Sequence, residues 1–152
     1  MNKNMLAVVP HLMARLGELD GVHSVQGVRE LAQMLDDKTR QIIPEDNAVY
    51  VVFDGFTPEG SGNGKQKQVR LSFSIVLARQ FYGASDVPHL ESAVGEMLSA
   101  IRAHLQGWSP TRQEYGKDKP FLTQPFDEVA AAEIAYFDNF ALYPVRFETV
   151  TL

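Results

Sequence analysis

The sequence predicts an α+β domain, a mostly antiparallel sheet with helices packed on it. Two patterns carry this. Residues Val69–Phe81 alternate apolar and polar side chains at period two, while Leu90, Val94, Met97, Leu98, Ile101 and Leu105 repeat at helical spacing. The order of elements supplies a third: helix, short helix, hairpin, long helix, then strands, with few strand–helix–strand units.

The first element runs from about Asn4 to Leu19, with Leu6, Val9, Leu12, Met13 and Leu16 on one face. Pro10 falls inside that pattern, so it either kinks the helix or marks its true start. Asp20-Gly21 closes it. Val22 and Val25 suit a short strand. Val28, Leu31, Ala32 and Leu35 suggest a second, short helix ending near Asp36-Asp37.

Asn47–Asp54 is dense in β-branched and aromatic residues and apolar on both faces, as a central or doubly covered strand is. It should pair antiparallel with 69–81. Between them, Gly55–Gln68 carries four glycines, a proline and no aliphatic side chain, and reads as a flexible hairpin loop. Within and beside it, Phe56, Gly60, Gly62, Gly64, Lys65, Lys67 and Arg70 form a candidate interaction loop, its cations suited to an acidic neighbour or a DNA backbone. A solvated loop with exposed charges is the plainer reading.

After a turn at Gly83–Asp86, a helix over about 87–105 tolerates Pro88 in its first turn and spans about 28 Å. Gly107 suits the left-handed position that follows a helix, and Trp108 should fold back onto the helix end or the sheet. Phe121–Gln124 and Ala135–Asp138 read as short strands. Asn139–Leu152 closes the chain as a strand in which Tyr143, Val145, Phe147 and Thr149 share a face. Pro144 lacks a ladder donor, which predicts an edge strand or a bulge there. Trp108, Phe137, Phe140, Tyr143 and Phe147 are candidate packing or interface aromatics, since such residues serve both cores and subunit contacts.

Bulk numbers narrow the function classes. With 152 residues and 45% hydrophobic content, one domain over 1–152 is expected, with a core of its own. There is no cysteine, which excludes disulfides and thiolate metal sites. No run approaches the roughly 20 apolar residues of a membrane span, and Pro10, His11 and Arg15 interrupt any signal-peptide core. The net charge of −5 argues against nucleic-acid binding by the whole surface. That charge is uneven: residues 18–54 carry −5 and 121–152 carry −4, while 1–17 and 55–120 each carry +2. Ordinary solvated faces or complementary patches on neighbouring copies would both produce this.

Motifs that could carry chemistry fail on spacing. Gly60–Lys65 resembles a phosphate-binding loop, but Glu59 stands where its first glycine belongs and Gln66 follows the lysine. His11, His23, His89 and His104 do not share metal-ligand spacing. No Gly-x-Ser-x-Gly elbow exists. The pairs Asp36-Asp37, Glu45-Asp46 and Asp127-Glu128 read as solvated turns. No catalytic residue, metal or cofactor is expected.

Set in order, these segments resemble the tail terminator (tail completion) proteins of long-tailed bacteriophages and prophages, the minor tail protein U type. The matching features are the N-terminal helix, Ala48–Phe53, Val69–Phe81, the helix end Ala103-His-Leu-Gln-Gly-Trp-Ser-Pro110 and the closing Phe140-Ala-Leu-Tyr-Pro-Val-Arg-Phe-Glu-Thr149. The resemblance implies a structural subunit that forms a ring, commonly a hexamer, on the last tail-tube ring. That ring ends tube polymerisation and later meets the head–tail connector, with DNA only passing through its lumen. The implied location is the virion tail, after assembly in the host cytoplasm, with no membrane contact. Another neck or baseplate adaptor, or a small-molecule-binding α+β domain, are the alternatives.

Overall fold

The structure, a computed structural model, describes residues 4–29, 43–60, 68–83, 85–110, 122–137 and 139–151. Among the described residues it is α+β: two helices and a mostly antiparallel six-stranded sheet. The elements run α1 (Val8–Gly17), β1 (Ser24–Val28), β2 (Ala48–Glu59), β3 (Gln68–Gln80), a 3-10 turn (Pro88–Leu90), α2 (Ser92–Leu105), β4 (Leu122–Val129), β5 (Ala135–Phe137) and β6 (Phe140–Thr151). The strand order is β1-β2-β3-β6-β4, with β5 also paired to β6. Among the described strands only β1 and β2 run parallel.

Proline decides where α1 begins. Pro10 is its third residue, inside the first turn, where a backbone N–H has no helical acceptor to lose. Val8, Leu12 and Leu16 are buried, and Met13 packs partly against them.

The sheet's helix-side face holds the larger core. Val49 and Val51 of β2, Leu71, Phe73, Ile75 and Leu77 of β3, and Tyr143, Val145 and Phe147 of β6 meet Val94, Ile101 and Leu105 of α2 and the α1 residues. Each such side chain contributes roughly 1.5–3 kcal/mol by leaving water. The opposite face carries a smaller buried cluster of Val28, Ala48, Tyr50, Val52, Val76, Ala78 and Leu142. β2 and β3 are therefore apolar on both faces at this end.

Five expectations change. Val28 ends β1, paired with Val52, and does not begin a helix; the rest of the short helix expected to end near Asp36-Asp37 lies outside the described residues. The hairpin loop is shorter than 55–68. Gly55 adopts φ 130° at a bulge, and pairing resumes from Gly55↔Ser72 to Glu59↔Gln68. The long helix starts at Ser92 because Glu91 is extended (ψ 128°), which leaves Pro88–Leu90 as a separate 3-10 turn. β4 extends to Val129, so Asp127 and Glu128 lie in a strand and not in a turn.

The fifth concerns Pro144. β6 is neither an edge nor bulged against β3, with which it pairs without interruption from Gln80↔Phe140 to Val69↔Thr151. On its other side β5 ends its pairing at Leu142 and β4 begins at Arg146. Pro144 falls in the gap between those partners, where no N–H is required.

The outer edge of β4 is clipped by the end of α2. Gly107 N–H donates to Phe126 O (2.8 Å) and Phe126 N–H donates to Trp108 O (2.9 Å). The Gln106 side chain accepts from Glu128 N–H (2.9 Å) and donates to Asp127 Oδ1 (2.8 Å). Gly107 reaches this position at φ 75°, which glycine adopts without the Cβ penalty.

Candidate functional site

Three structured regions compete for the role of functional site: a cavity on the second face of the sheet, a clamp between the helices, and the two ends of the strands.

The cavity encloses about 460 Å³ and is lined by Arg29, Val52, Phe53, Asp54, Ser74, Val76, Ala132 and Pro144. Its acidic group is already engaged. Asp54 accepts the Ser74 hydroxyl at 2.6 Å and faces Arg146 Nε at 3.6 Å. Further along the same face Ser72 donates to Glu148 (2.8 Å) and Arg70 donates to Glu59. These pairs spend their capacity on one another.

The resolved proton affinities point the same way. Arg70 is raised above its ordinary value, first by its hydrogen bond to Glu59 and then by the nearby carboxylates. Exposed Arg102 is raised by Glu128, which accepts two bonds from its Nε at 2.8 and 2.9 Å. Tyr50 and Tyr143 are raised chiefly by burial, which disfavours phenolate. Each shift moves a group further from neutrality, the opposite of what a general acid or base requires. No set of three metal-ligating side chains gathers among the described residues. His89 sits in the 3-10 turn and His104 in α2, so the two do not share a helix.

The clamp is structural. Arg15 of α1 donates twice to the His104 carbonyl (3.1 and 3.0 Å), at the C-terminal end of α2 where a cation offsets the helix dipole. Its guanidinium lies 5.6 Å from the Trp108 ring centre, and Trp108 in turn stacks on Phe126 at 5.3 Å. Glu18 approaches both Arg15 (3.5 Å) and His104 Nε2 (3.1 Å). Trp108 thus folds back onto both the helix end and the sheet.

The strand ends remain. At the loop end, Glu59 pairs with Gln68, and Leu122 and Val69 both pair with Thr151. Phe56 is 55% exposed there and Gly60 is exposed. Arg70 belongs to this end but is not a free cation, since Glu59 neutralises it. Gly62, Gly64, Lys65 and Lys67 lie outside the described residues.

At the other end, β3 runs out past Gln80 and Phe137 of β5 pairs with Phe140 of β6. Tyr82 is 70% exposed, Leu90 80% and Tyr136 56%, with Phe81 edge-on to Tyr136 at 6.5 Å. Arg79 anchors the end, donating to Asn47 and to Glu91 (2.7 Å) and lying 3.9 Å from Asp46. Asp86 accepts Tyr82 N–H at 2.7 Å. The buried Tyr143 hydroxyl has no hydrogen-bond partner among the described residues, and Tyr136, Arg79 and Glu91 act on its charge.

Of the five aromatics read from the sequence, Tyr143 and Phe147 are buried in the core, Trp108 sits in the clamp, and Phe137 and Phe140 are half-buried, Phe140 against the smaller cluster. The sequence does not single out Tyr82 or Leu90 as exposed, and Tyr136 is one of the crowded C-terminal aromatics, some of which suit a subunit interface. Helical spacing places Leu90 on the apolar stripe of the long helix, a position it loses because α2 begins two residues later. Its one sequence signal is Pro88, which permits a 3-10 turn that rotates Leu90 off the stripe.

No curated protein matches the chain. No described helix is long and apolar enough to cross a membrane. A family model described as "Phage tail terminator protein" matches residues 1–152, the full length of the sequence. The chain belongs to the phage tail terminator family, a family of structural tail proteins of the virion and not a class of enzyme.

Proposed function

We propose that this chain acts as a ring-forming tail terminator. Copies associate in a closed ring, expected to be a hexamer. The ring seats on the last layer of the tail tube, halts tube polymerisation, and offers its outer surface to the head–tail connector. DNA passes through the lumen without being read, and assembly takes place in the host cytoplasm. The family match along the whole chain carries this reading. The exposed Tyr82, Leu90 and Tyr136 support it, because a cyclic assembly needs one surface patch that fits a different patch on the next copy.

Adding the purified chain to polymerising tail-tube subunits tests it. Tubes should stop at limited length, with density at one end under the electron microscope. Unchanged tube lengths, with the protein absent from both ends, would remove the terminator role. A neck or baseplate adaptor would bind finished tails without limiting growth.

A further inference from the structure

We infer that Asp20, in the turn between α1 and β1, is a site of spontaneous backbone modification: its carboxyl closes on the Gly21 amide to a cyclic imide, which reopens as isoaspartate and loosens the seat of α1. The site stands whether or not copies of the chain form a ring.

The chain holds two Asp-Gly pairs, Asp20-Gly21 and Asp54-Gly55. Glycine leaves its amide nitrogen open to attack, because no side chain crowds it. The fold treats the two pairs differently. Asp54 is held by the Ser74 hydroxyl (2.6 Å) and by Arg146 (3.6 Å), and Gly55 lies within β2 with strand pairing on both sides of it. Asp20 and Gly21 are both exposed. Asp20 has no side-chain hydrogen bond or ion pair among the described residues. Val22 N–H donates to Leu19 O at 3.4 Å, which sets Asp20 and Gly21 at the centre of a four-residue turn, with Gly21 at φ 88°. The peptide joining them is the middle one of that turn. Its N–H donates to no backbone carbonyl among the described residues. It can rotate while the turn's own bond stays closed, since turn types I and II differ by that rotation.

The chemistry needs only water. The Gly21 nitrogen attacks Cγ of the Asp20 carboxylic acid and a C–N bond forms. The Cγ–OH bond breaks, and water leaves with that hydroxyl and the amide proton. Water then adds to one of the two imide carbonyls. Cleavage at Cγ restores aspartate, while cleavage at the main-chain carbonyl leaves the backbone running through the side chain, with no net change in mass. The second outcome adds one carbon to the main chain where there is little slack. A Cβ on Gly21 would already lie 2.9 Å from Met97 Cε of α2, and just beyond it His23 N–H donates to Asn47 O at 2.9 Å. On the other side, Leu16 is fully buried at the end of α1. The added length therefore displaces the end of α1.

Incubating the folded full chain for several weeks, then digesting it with trypsin, tests the site. The peptide Leu16–Arg29 should gain a second chromatographic peak of unchanged mass, with isoaspartate fragments at residue 20 under electron-transfer fragmentation. The peptide spanning 41–65, which carries Asp54-Gly55, should isomerise at least roughly tenfold more slowly, because β2 must first open locally. In urea the two Asp-Gly pairs should convert at similar rates. Asn63-Gly64 shares the second peptide, but its conversion changes an amide to an acid and so registers as a change of mass. Asp20→Glu should remove the new peak, and Asp20→Asn, which passes through the same imide with ammonia as the leaving group, should convert faster than wild type. Separated from the parent, the isomerised chain should melt lower by roughly 2–4 °C. A single peak for Leu16–Arg29 in wild type, or an Asp20→Asn chain that stays intact, would overturn the site. Equal rates at the two Asp-Gly pairs in the folded chain would overturn the role given to the turn, and an isomerised chain that melts with its parent would overturn the loosening of α1.

Discussion

The two faces of β3 are built from the same thirteen residues and follow different rules. On the helix side Leu71, Phe73, Ile75 and Leu77 are all fully buried, one after another. The far side changes character along its length: Ser72 and Ser74 hydrogen-bond to carboxylates, then Val76 and Ala78 join a second buried cluster. One face supplies stability evenly, while the other divides into a wet charged half and a dry half that leads toward the aromatic end. Stability and surface chemistry are thus carried by alternate residues of the same strand.

The sharpest way to break the comparison is Phe73→Ala. Phe73 contacts the rings of Phe53 (5.4 Å) and Phe126 (6.1 Å), and its loss should cost about 3–5 kcal/mol by urea denaturation. A loss below about 1 kcal/mol would mean that this face is not the main core.

Two buried tyrosines, one on each face, come next. The Tyr50 hydroxyl accepts Glu45 N–H at 2.9 Å, whereas that of Tyr143 has no partner among the described residues. Tyr50→Phe should therefore cost about 1–2 kcal/mol, because it strands a donor, and Tyr143→Phe should be neutral or slightly stabilising. Equal effects would contradict the asymmetry.

Both phenols are raised above their ordinary value by burial. The folded chain keeps protons that the unfolded chain releases above about pH 10. Stability should be unaffected by these groups below that pH and fall as the pH climbs through the folded values. A double Tyr50→Phe, Tyr143→Phe variant should show a shallower alkaline decline in a melting-temperature series.

The smallest effect is expected on the wet half. Ser74→Ala removes an exposed bond to Asp54 and should change stability by less than about 1 kcal/mol.

What the residues revealed in advance follows the same division. The alternation in β3 and the stripe Val94–Leu105 were legible because a single buried face imposes its period on the chain. The errors fell where a residue's local habit was overruled by its partner strand. Gly55 and Pro58 read as loop, yet β3 is long enough to keep β2 paired through Pro58↔Val69. Pro144 read as an edge marker, yet it sits in a central strand whose outer partner changes from β5 to β4. The short strand expected over Phe121–Gln124 runs on through Pro125 to Val129, with register shifts on both sides of Gln124. The aromatic end was the least legible. A tyrosine in a strand gives the same sequence signal whether it points into a core, as Tyr143 does, or into solvent, as Tyr136 does. Only the joining of β3, β5, β6 and the 3-10 turn at one end gathers the exposed groups into a patch.

The clip that Gly107 and Trp108 place on β4 has a further consequence. An uncovered sheet margin offers its backbone to any passing chain, and identical molecules can then add one after another into a fibre without limit. Here that margin is occupied at Phe126 and interrupted at Pro125, so copies that meet along it find few main-chain groups to share. A subunit proposed to end the growth of one polymer carries, along β4, a barrier against seeding another.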